Sequence, residues 1–318
     1  MSTKVKNIVK PFVKWAGGKG QLLKVFENFY PAELANDKIK KYIEPFVGGG
    51  AVLFDILQSY DIEQAYIFDI NSDLINAYLA IKNDVNRLIE YLEQKEKEYI
   101  KLDFENRKNY YYQIRNKFNA YKLEANSNSN KNIERAGHFI FLNKTCFNGL
   151  YRVNSEGLFN VPMGDYKNPK ICDEENLSAL SELLQKVEIF NLDYRESLAY
   201  ADERTLMYFD PPYRPLNTTS SFTSYTKSDF TDSDQIELAR FYSEIKKTGA
   251  YLMLSNSDPK NVRVTDTFLD DLYNEHYINT VQARRTINSK ADKRGFINEL
   301  LVTSYDINGG QNEIYQVL

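Results

Sequence analysis

Short apolar runs recur along the chain, and over much of its length they alternate with segments of helical periodicity. Seven runs have the length and composition of β-strands: Lys41–Phe46, Ala65–Ile70, Val187–Asp193, Thr205–Asp210, Ala250–Asn256, His276–Ala283 and Asn298–Asp306. The first five alternate with helices, as in a doubly wound parallel sheet. The last two follow each other directly and suit an antiparallel pair at one edge. The pattern predicts an α/β protein with a Rossmann-like sheet of seven strands.

The interval between the second and third predicted strands, 71–186, is too long for a single crossover helix. Three segments of this interval have helical patterns: Ser72–Ile100, Glu105–Leu123 and Ile133–Leu142. The polar tract Ala125–Asn132 is expected to form a loop between helices. Two short runs then flank the turn 155–157, which predicts a β-hairpin with Gly157 at positive φ. We interpret residues 71–175 as an inserted, mainly helical domain within a second domain formed by residues 1–70 and 176–318.

Charge is distributed unevenly along the chain. The net charge of the 318 residues is −4, but residues 107–170 contain eleven Lys and Arg against four Asp and Glu. This window therefore carries +7 and the remainder −11. A basic segment in an acidic chain can attract phosphate, although a solvated basic helix face is the alternative.

Composition excludes several classes of protein. Two cysteines, Cys146 and Cys172, are too few for a disulfide framework or a zinc cluster. No apolar run approaches the length of a membrane span, and residues 1–15 lack the apolar core of a signal peptide. We expect a cytoplasmic protein.

The tetrapeptide Asp210-Pro211-Pro212-Tyr213 follows a buried-strand pattern, at the edge of the sheet where α/β proteins bind ligands. Proline fixes φ, so the carbonyls of this tetrapeptide are held as acceptors. An amino group can donate to the Asp210 carboxylate and the Pro211 carbonyl while its ring stacks on Tyr213. The alternative is a simple strand-ending turn, but the tyrosine favours a site for a planar amine.

A glycine-rich run, Glu44–Ala51, lies between the first strand and a helix, where the backbone can approach a ligand. It lacks the third glycine of the dinucleotide fingerprint, and a plain turn is the alternative. Asp69 ends the second strand 21 residues after Gly48, a usual place for a carboxylate that binds ribose hydroxyls. Asp69 can instead cap the next helix, a role that Asn71 or Asp73 suits equally well.

The N-terminal run Phe12–Lys19 holds the only tryptophan beside a Gly-Gly pair. Its spacing does not match a P-loop, so nucleotide hydrolysis is not expected. Lys19 is suited to neutralise the carboxylate of a methionine-derived ligand, and Trp15 to pack on a sulfonium by a cation–π contact. A core tryptophan beside a surface lysine is the alternative.

Together these motifs resemble the Dam-type (D12 class) DNA adenine-N6 methyltransferases. The resemblance rests on Phe12–Lys19, Tyr42–Ala51, Phe68–Asp73, Leu142–Gly164, Asp210–Tyr213, Leu254–Asp258 and Arg285–Leu300. Their order is that of the α group, with the glycine motif first, the recognition domain inserted and the Asp-Pro-Pro-Tyr motif after it. The resemblance implies a Rossmann-like, seven-stranded methyltransferase fold whose inserted helical domain carries a hairpin that grips double-stranded DNA.

The resemblance also implies roles for individual residues. S-adenosyl-L-methionine, which leaves as S-adenosyl-L-homocysteine, would contact Trp15, Lys19, Phe46, Gly48, Gly50, Asp69, Asp193, Tyr194 and Asp210. The catalytic residues would be Asp210, Pro211 and Tyr213. The residues at the DNA would be Lys14, Asn148, Leu150, Arg152 and Pro162, with GATC as the expected site and Arg152 suited to a guanine edge. Asp165 stands where some relatives carry arginine, which weakens any expectation of a phosphate contact there.

The expected reaction is direct methyl transfer to N6 of a flipped adenine, without a metal or a covalent protein intermediate. The alternatives are a methyltransferase of this fold acting on RNA or protein glutamine, and a DNA-binding module without activity. An NAD-dependent oxidoreductase is disfavoured by the broken glycine spacing. We expect a monomer associated with the nucleoid, whose functional counterpart is a cognate restriction endonuclease encoded nearby, without a stable complex.

Overall fold

One mixed sheet forms the centre of the computed structural model, which describes residues 8–121, 123–124, 129–214, 230–284, 296–307 and 315–316. Its strands are β1 (Lys41–Glu44), β2 (Gln64–Phe68), β3 (Val187–Phe190), β4 (Thr205–Phe209), β5 (Tyr251–Ser257), β6 (Tyr277–Arg284), β7 (Phe296–Thr303) and β8 (Tyr315–Gln316). Their spatial order is β3-β2-β1-β4-β5-β7-β6-β8. The doubly wound fold predicted from the sequence is confirmed.

Strands β1 to β5 run parallel, whereas β7 pairs antiparallel with both β5 and β6. All seven predicted strands occur, and the last two do pair with each other. The short strand β8, which the sequence pattern did not predict, pairs parallel with β6. Strand β3 ends earlier than expected because Asp193 begins a 3₁₀ helix, Tyr194–Tyr200, by accepting a hydrogen bond from the Arg195 amide.

The helices cover both faces of the sheet. They are α1 (Leu23–Phe26), α2 (Ala32–Ala35), α3 (Ala51–Ser59), α4 (Ser72–Ile100), α5 (Phe104–Ala120), α6 (Asn130–Thr145), α7 (Glu174–Leu183), α8 (Asp232–Lys246) and α9 (Phe268–Leu272). In the described part of the chain, no helix is both long enough and apolar enough to cross a bilayer.

The inserted segment is built on the long helix α4, which matches the predicted pattern and bends at Asp84, where φ is −152° and ψ is 53°. Helix α6 packs along α4, and Arg135 on α6 forms a buried ion pair with Asp73 on α4. Part of the expected polar loop is helical, because Ser129 caps α6 by accepting a hydrogen bond from the Asn132 amide. Residues 125–128 of that tract lie outside the described residues.

A hairpin follows α6. Val153 and Phe159 form an antiparallel bridge across the turn, and Gly157 has φ of 81°, as predicted. The turn is closed by the Gly157 amide, which donates to the Asn154 carbonyl at 2.9 Å.

The core has two clusters because neighbouring strand residues point to opposite faces of the sheet. Tyr42 and Leu206 belong to the first cluster, whereas Ile43 and Met207 belong to the second, which packs against α8. The first cluster continues without a break into the buried aromatic residues of α4, α5 and α6. The boundaries 71 and 175 of the inserted domain stay a prediction, since this shared core does not mark them.

Candidate active site

Asp210 lies at the carboxyl end of β4, whose five residues are all buried. The Lys19 ammonium contacts both carboxylate oxygens, at 2.8 and 2.7 Å, although the two residues are 191 positions apart. Ser255 on β5 donates to one of these oxygens at 3.2 Å. Its hydroxyl also lies 2.7 Å from that of Tyr208. Since Ser255 has one proton to give, Tyr208 donates to Ser255 and Ser255 to Asp210.

Burial raises the pKa of Asp210, while the ion pair with Lys19 and the hydrogen bond from Ser255 oppose that rise. Two groups from separate parts of the chain thus favour the charged form of this carboxylate. A charged acceptor in a partly buried site binds an N–H donor more strongly than it would in water.

Tyr213 is fixed at both its hydroxyl and its ring. The hydroxyl donates to Glu299 on β7 at 3.0 Å, and the Lys19 ammonium lies 4.8 Å from the ring centroid. Burial raises the pKa of Glu299, and the nearby Asp210 charge adds to the rise. A strand of the antiparallel edge thereby orients the aromatic face of the Asp-Pro-Pro-Tyr motif.

The two prolines present their carbonyls differently. The Pro212 carbonyl accepts a hydrogen bond from the buried Gln235 side chain at 3.1 Å, and Asn256 in turn donates to Gln235 at 3.2 Å. No described residue donates to the Pro211 carbonyl. Pro211 directly follows Asp210 in the chain, and its carbonyl oxygen is the second acceptor that the predicted amine site requires.

The glycine turn after β1 depends on backbone angles that favour glycine. Gly48 and Gly50 have φ of 48° and 73°. A Cβ on Gly48 would lie 2.7 Å from the Trp15 ring, and one on Gly50 would lie 2.5 Å from the Tyr78 hydroxyl. Trp15 therefore packs directly on the turn, and its ring also stacks on Tyr151 from the inserted segment, with 5.6 Å between the ring centroids.

Asp69 ends β2 beside this turn. Its carboxylate accepts hydrogen bonds from the amides of Gly48, at 3.2 Å, and Asn71, at 2.8 Å. Burial raises its pKa to about 6, and these two hydrogen bonds limit the rise. The cap of α4 is Asn71, which accepts from the amides of Asp73 and Leu74. Of the two roles open for Asp69, helix capping thus belongs to its neighbour.

Phe46 and Tyr194 extend the same edge. Their rings stack at 5.1 Å with 29° between the planes, which forms an aromatic wall near the glycine turn. Asp193 pairs with Arg195 at 2.7 Å.

These features fit a bound S-adenosyl nucleoside. An oriented carboxylate suits ribose hydroxyls, and an aromatic wall suits a purine. Lys19 pairs with the Asp210 carboxylate in this structure, and its contact with the methionine carboxylate stays a prediction. No group of three or more metal-ligating side chains is found among the described residues.

The predicted DNA contacts gather around the end of α6. Asn143, which is 3% exposed, pairs with both the amide and the carbonyl of Lys14 and also donates to the Gly149 carbonyl. The exposed Asn148 adopts a left-handed conformation with φ of 56°. Exposed Pro162 accepts a hydrogen bond from the Phe147 amide at 2.9 Å, which ties the loop to the outgoing strand.

Leu150 and Arg152 continue from this loop. Leu150 is half-buried against the core, and its carbonyl accepts from the Cys146 thiol at 3.2 Å. Arg152 is also half-buried, and its Nε donates to Asn160 across the hairpin at 2.7 Å. The structure thus brings the five predicted DNA residues to one region, with Lys14 joined to it from the N-terminus.

The sequence reasoning assigned no role to Asn143, Ser255 or Glu299. Each lies within a run that resembles the family, but its neighbours in the sequence give no local signal of chemistry. Their partners are remote in sequence, so only the fold identifies them. Residues 285–295 of the late motif lie outside the described residues.

Comparison with known proteins identifies the family of the chain. Residues 15–287 match the family described as D12 class N6 adenine-specific DNA methyltransferase. The chain therefore belongs to this family, and it is a site-specific DNA methyltransferase that acts on adenine. The resemblance stated from the motifs is confirmed.

Three relatives show how far the similarity extends. The chain is 54% identical over 93% of its length to the type II methyltransferase M.MjaIII of Methanocaldococcus jannaschii, of which it covers 99%. It is 37% identical over 93% of its length to the type II methyltransferase M1.LlaDCHI of Lactococcus lactis, of which it covers 96%. It is 34% identical over 92% of its length to a DNA adenine methylase of Vibrio cholerae, of which it covers 95%.

Proposed function

We propose that this protein transfers a methyl group from S-adenosyl-L-methionine to N6 of an adenine flipped out of double-stranded DNA, at GATC sites. The observation that carries the proposal is the partly buried Asp210 carboxylate beside the Pro211 carbonyl and the oriented ring of Tyr213. These groups match the two hydrogens and the planar ring of an aminopurine.

The chain's own residues supply positioning and electrostatics. Asp210 and the Pro211 carbonyl accept the two N6 hydrogens, which turns the nitrogen lone pair away from the ring. Tyr213 stacks on the extruded base, a contact worth roughly 1–3 kcal/mol. The cofactor, when bound, supplies a methyl group activated by a sulfonium. As N6 attacks and the bond between sulfur and the methyl carbon breaks, positive charge develops on this nitrogen next to the Asp210 carboxylate, which stabilises it until the nitrogen loses one of its two protons.

Cofactor binding is assigned to the edge beside this pocket. Asp69 would accept hydrogen bonds from the ribose hydroxyls, and the aromatic wall formed by Phe46 and Tyr194 would pack on the purine. The turn that contains Gly48 and Gly50 would lie beside the ligand. The proposed cofactor-binding residues also include Trp15 and Lys19, near the methionine portion, and Asp193, after the end of β3.

Sequence recognition is assigned to residues 71–175. The net charge of +7 over residues 107–170 supports attraction to phosphate. Lys14, Asn148, Leu150, Arg152 and Pro162 would lie at the bases, with Arg152 bidentate to a guanine. The relatives named DNA adenine methylases support adenine as the target base, whereas GATC rests on the resemblance of the motifs.

The relatives named type II methyltransferases support a restriction endonuclease as a functional counterpart, without a stable complex. We propose that the protein acts as a monomer, in the cytoplasm and on the nucleoid, where its DNA substrate is found.

Two experiments test the proposal. Asp210→Ala and the isosteric Asp210→Asn should each lower methyl transfer by about a hundredfold or more while duplex binding persists. Near-normal turnover in the folded variants would refute the assigned role. Methylation-aware sequencing of DNA from an expressing host that lacks other methylases should show N6-methyladenine within GATC, and a different flanking sequence would refute that site.

A further inference from the structure

The N-terminal segment is held by side-chain amides in place of a neighbouring strand. At three residues of this segment, a side-chain carboxamide accepts a hydrogen bond from the backbone N–H and donates one to the backbone carbonyl of the same residue. The pairs are Gln58 with Val9 (2.6 and 3.2 Å), Asn176 with Lys10 (both 2.9 Å) and Asn143 with Lys14 (both 2.8 Å). Each pair reproduces the hydrogen bonding of a β-strand partner. The segment that carries Lys14 and Trp15 is thereby fixed in place without belonging to the sheet.

Asn143 differs from the other two amides because it joins two parts of the candidate DNA surface. Besides Lys14, its Nδ2 donates to the Gly149 carbonyl at 2.9 Å. Gly149 has φ of 65°, and a Cβ there would lie 2.5 Å from Cδ of Lys14. The loop backbone at 148–150 therefore rests directly on the lysine side chain, with the buried Asn143 beneath both.

We infer that Asn143 is a positioning residue that sets sequence discrimination, by fixing Lys14 relative to the loop 148–150. The inference rests on the proposed function, in which Lys14, Asn148 and Leu150 contact bases. Hydrogen bonds to base edges discriminate only when donor and acceptor are held in narrow geometry. Lys14 and the loop come from sequence positions more than a hundred residues apart, and Asn143 is the side chain that bonds to both.

Asn143→Asp tests this role with little change of shape. The aspartate can still accept from the Lys14 amide, but its second oxygen would face the carbonyls of Lys14 and Gly149, to which it cannot donate. We expect the ratio of kcat/KM for the best duplex to kcat/KM for its single-base variants to fall by about tenfold or more. We expect kcat on the best duplex at saturation to stay within about twofold, since Asp210 and Tyr213 are untouched.

Asn176→Asp is the matched control. It makes the same replacement of an amide by a carboxylate, in a side chain that bonds the backbone of the same segment in the same way. Asn176, however, bonds to Lys10 and not to the loop 148–150. We expect its discrimination ratio to equal that of the unaltered protein. A general loosening of the N-terminal segment would lower the ratio in both variants, and that result would overturn the inference.

The remaining outcomes are also decisive. A folded Asn143→Asp protein with unchanged discrimination would refute the role. If that variant does not fold, Gly149→Ala disturbs the same junction from the loop side, and unchanged discrimination there would refute it equally. Lys14→Ala separates this inference from the proposed function. If Lys14→Ala leaves discrimination intact, the base contact assigned to Lys14 is wrong, whereas the loss of discrimination in Lys14→Ala but not in Asn143→Asp refutes the positioning role alone.

Discussion

The pKa of Asp69 predicts that binding of S-adenosyl-L-homocysteine depends on pH. Burial raises this pKa to about 6 in the free protein. Ribose hydroxyls donate best to the charged carboxylate, and each such bond gains about 1 kcal/mol over one to a neutral acceptor. Binding below the pKa must therefore expel a proton, at a cost of about 1.4 kcal/mol for each pH unit. We expect affinity to be roughly tenfold lower at about pH 5 than at about pH 7.5.

Isothermal titration calorimetry provides the measurement. Near pH 6 about half of the Asp69 carboxyls are protonated, so binding should release about half a proton, seen as a difference in heat between buffers of unlike ionisation enthalpy. In Asp69→Asn the affinity should be lower at neutral pH and independent of pH over this range. The reasoning is refuted if the unaltered protein shows no proton release, or if Asp69→Asn retains the same pH dependence.

Three further predictions concern single contacts. Ser255→Ala removes the hydroxyl that bonds Asp210, and kcat should fall by about tenfold with little change in KM for DNA, as steady-state kinetics would measure. Gly50→Ala places a Cβ at φ of 73° and 2.5 Å from a buried tyrosine hydroxyl, and urea unfolding should show a loss of about 2 kcal/mol or more. Arg135→Met leaves the Asp73 carboxylate buried without its ion pair, so chemical denaturation should report a loss of about 3–5 kcal/mol. An unfolding midpoint equal to that of the parent would contradict either stability prediction, and an unchanged kcat would contradict the first.

The fold could be predicted from the sequence because the patterns that indicate each strand and helix are local. Each predicted strand is a short apolar run, and the residues that end the strands, such as Asp69 and Asp210, are polar and easily seen. The sequence offers Asp69, Asn71 and Asp73 as the N-terminal cap of α4. The structure selects Asn71, because the Asp69 carboxylate accepts a hydrogen bond from Gly48 in the turn after β1.

The contacts between remote segments could not be derived in this way. The pairing of Lys19 with Asp210 joins residues 191 positions apart, and the bond from Tyr213 to Glu299 depends on β7 lying next to β5. Similarly, residues 130–132 read as part of a polar loop because their composition is polar, whereas a capping bond draws them into α6. Periodicity describes one element at a time and carries no information on which elements meet.

The ion pair between Lys19 and Asp210 has a consequence for the resting enzyme. An uncompensated carboxylate in a dry pocket would cost several kcal/mol, and the protein would carry this penalty in the long intervals between encounters with its target. The Lys19 ammonium removes this penalty, because it donates to both Asp210 oxygens and lies over the Tyr213 ring. In the proposed reaction, the adenine amine would take the place of this ammonium at the Asp210 oxygens, so a neutral donor would have to displace a charged one.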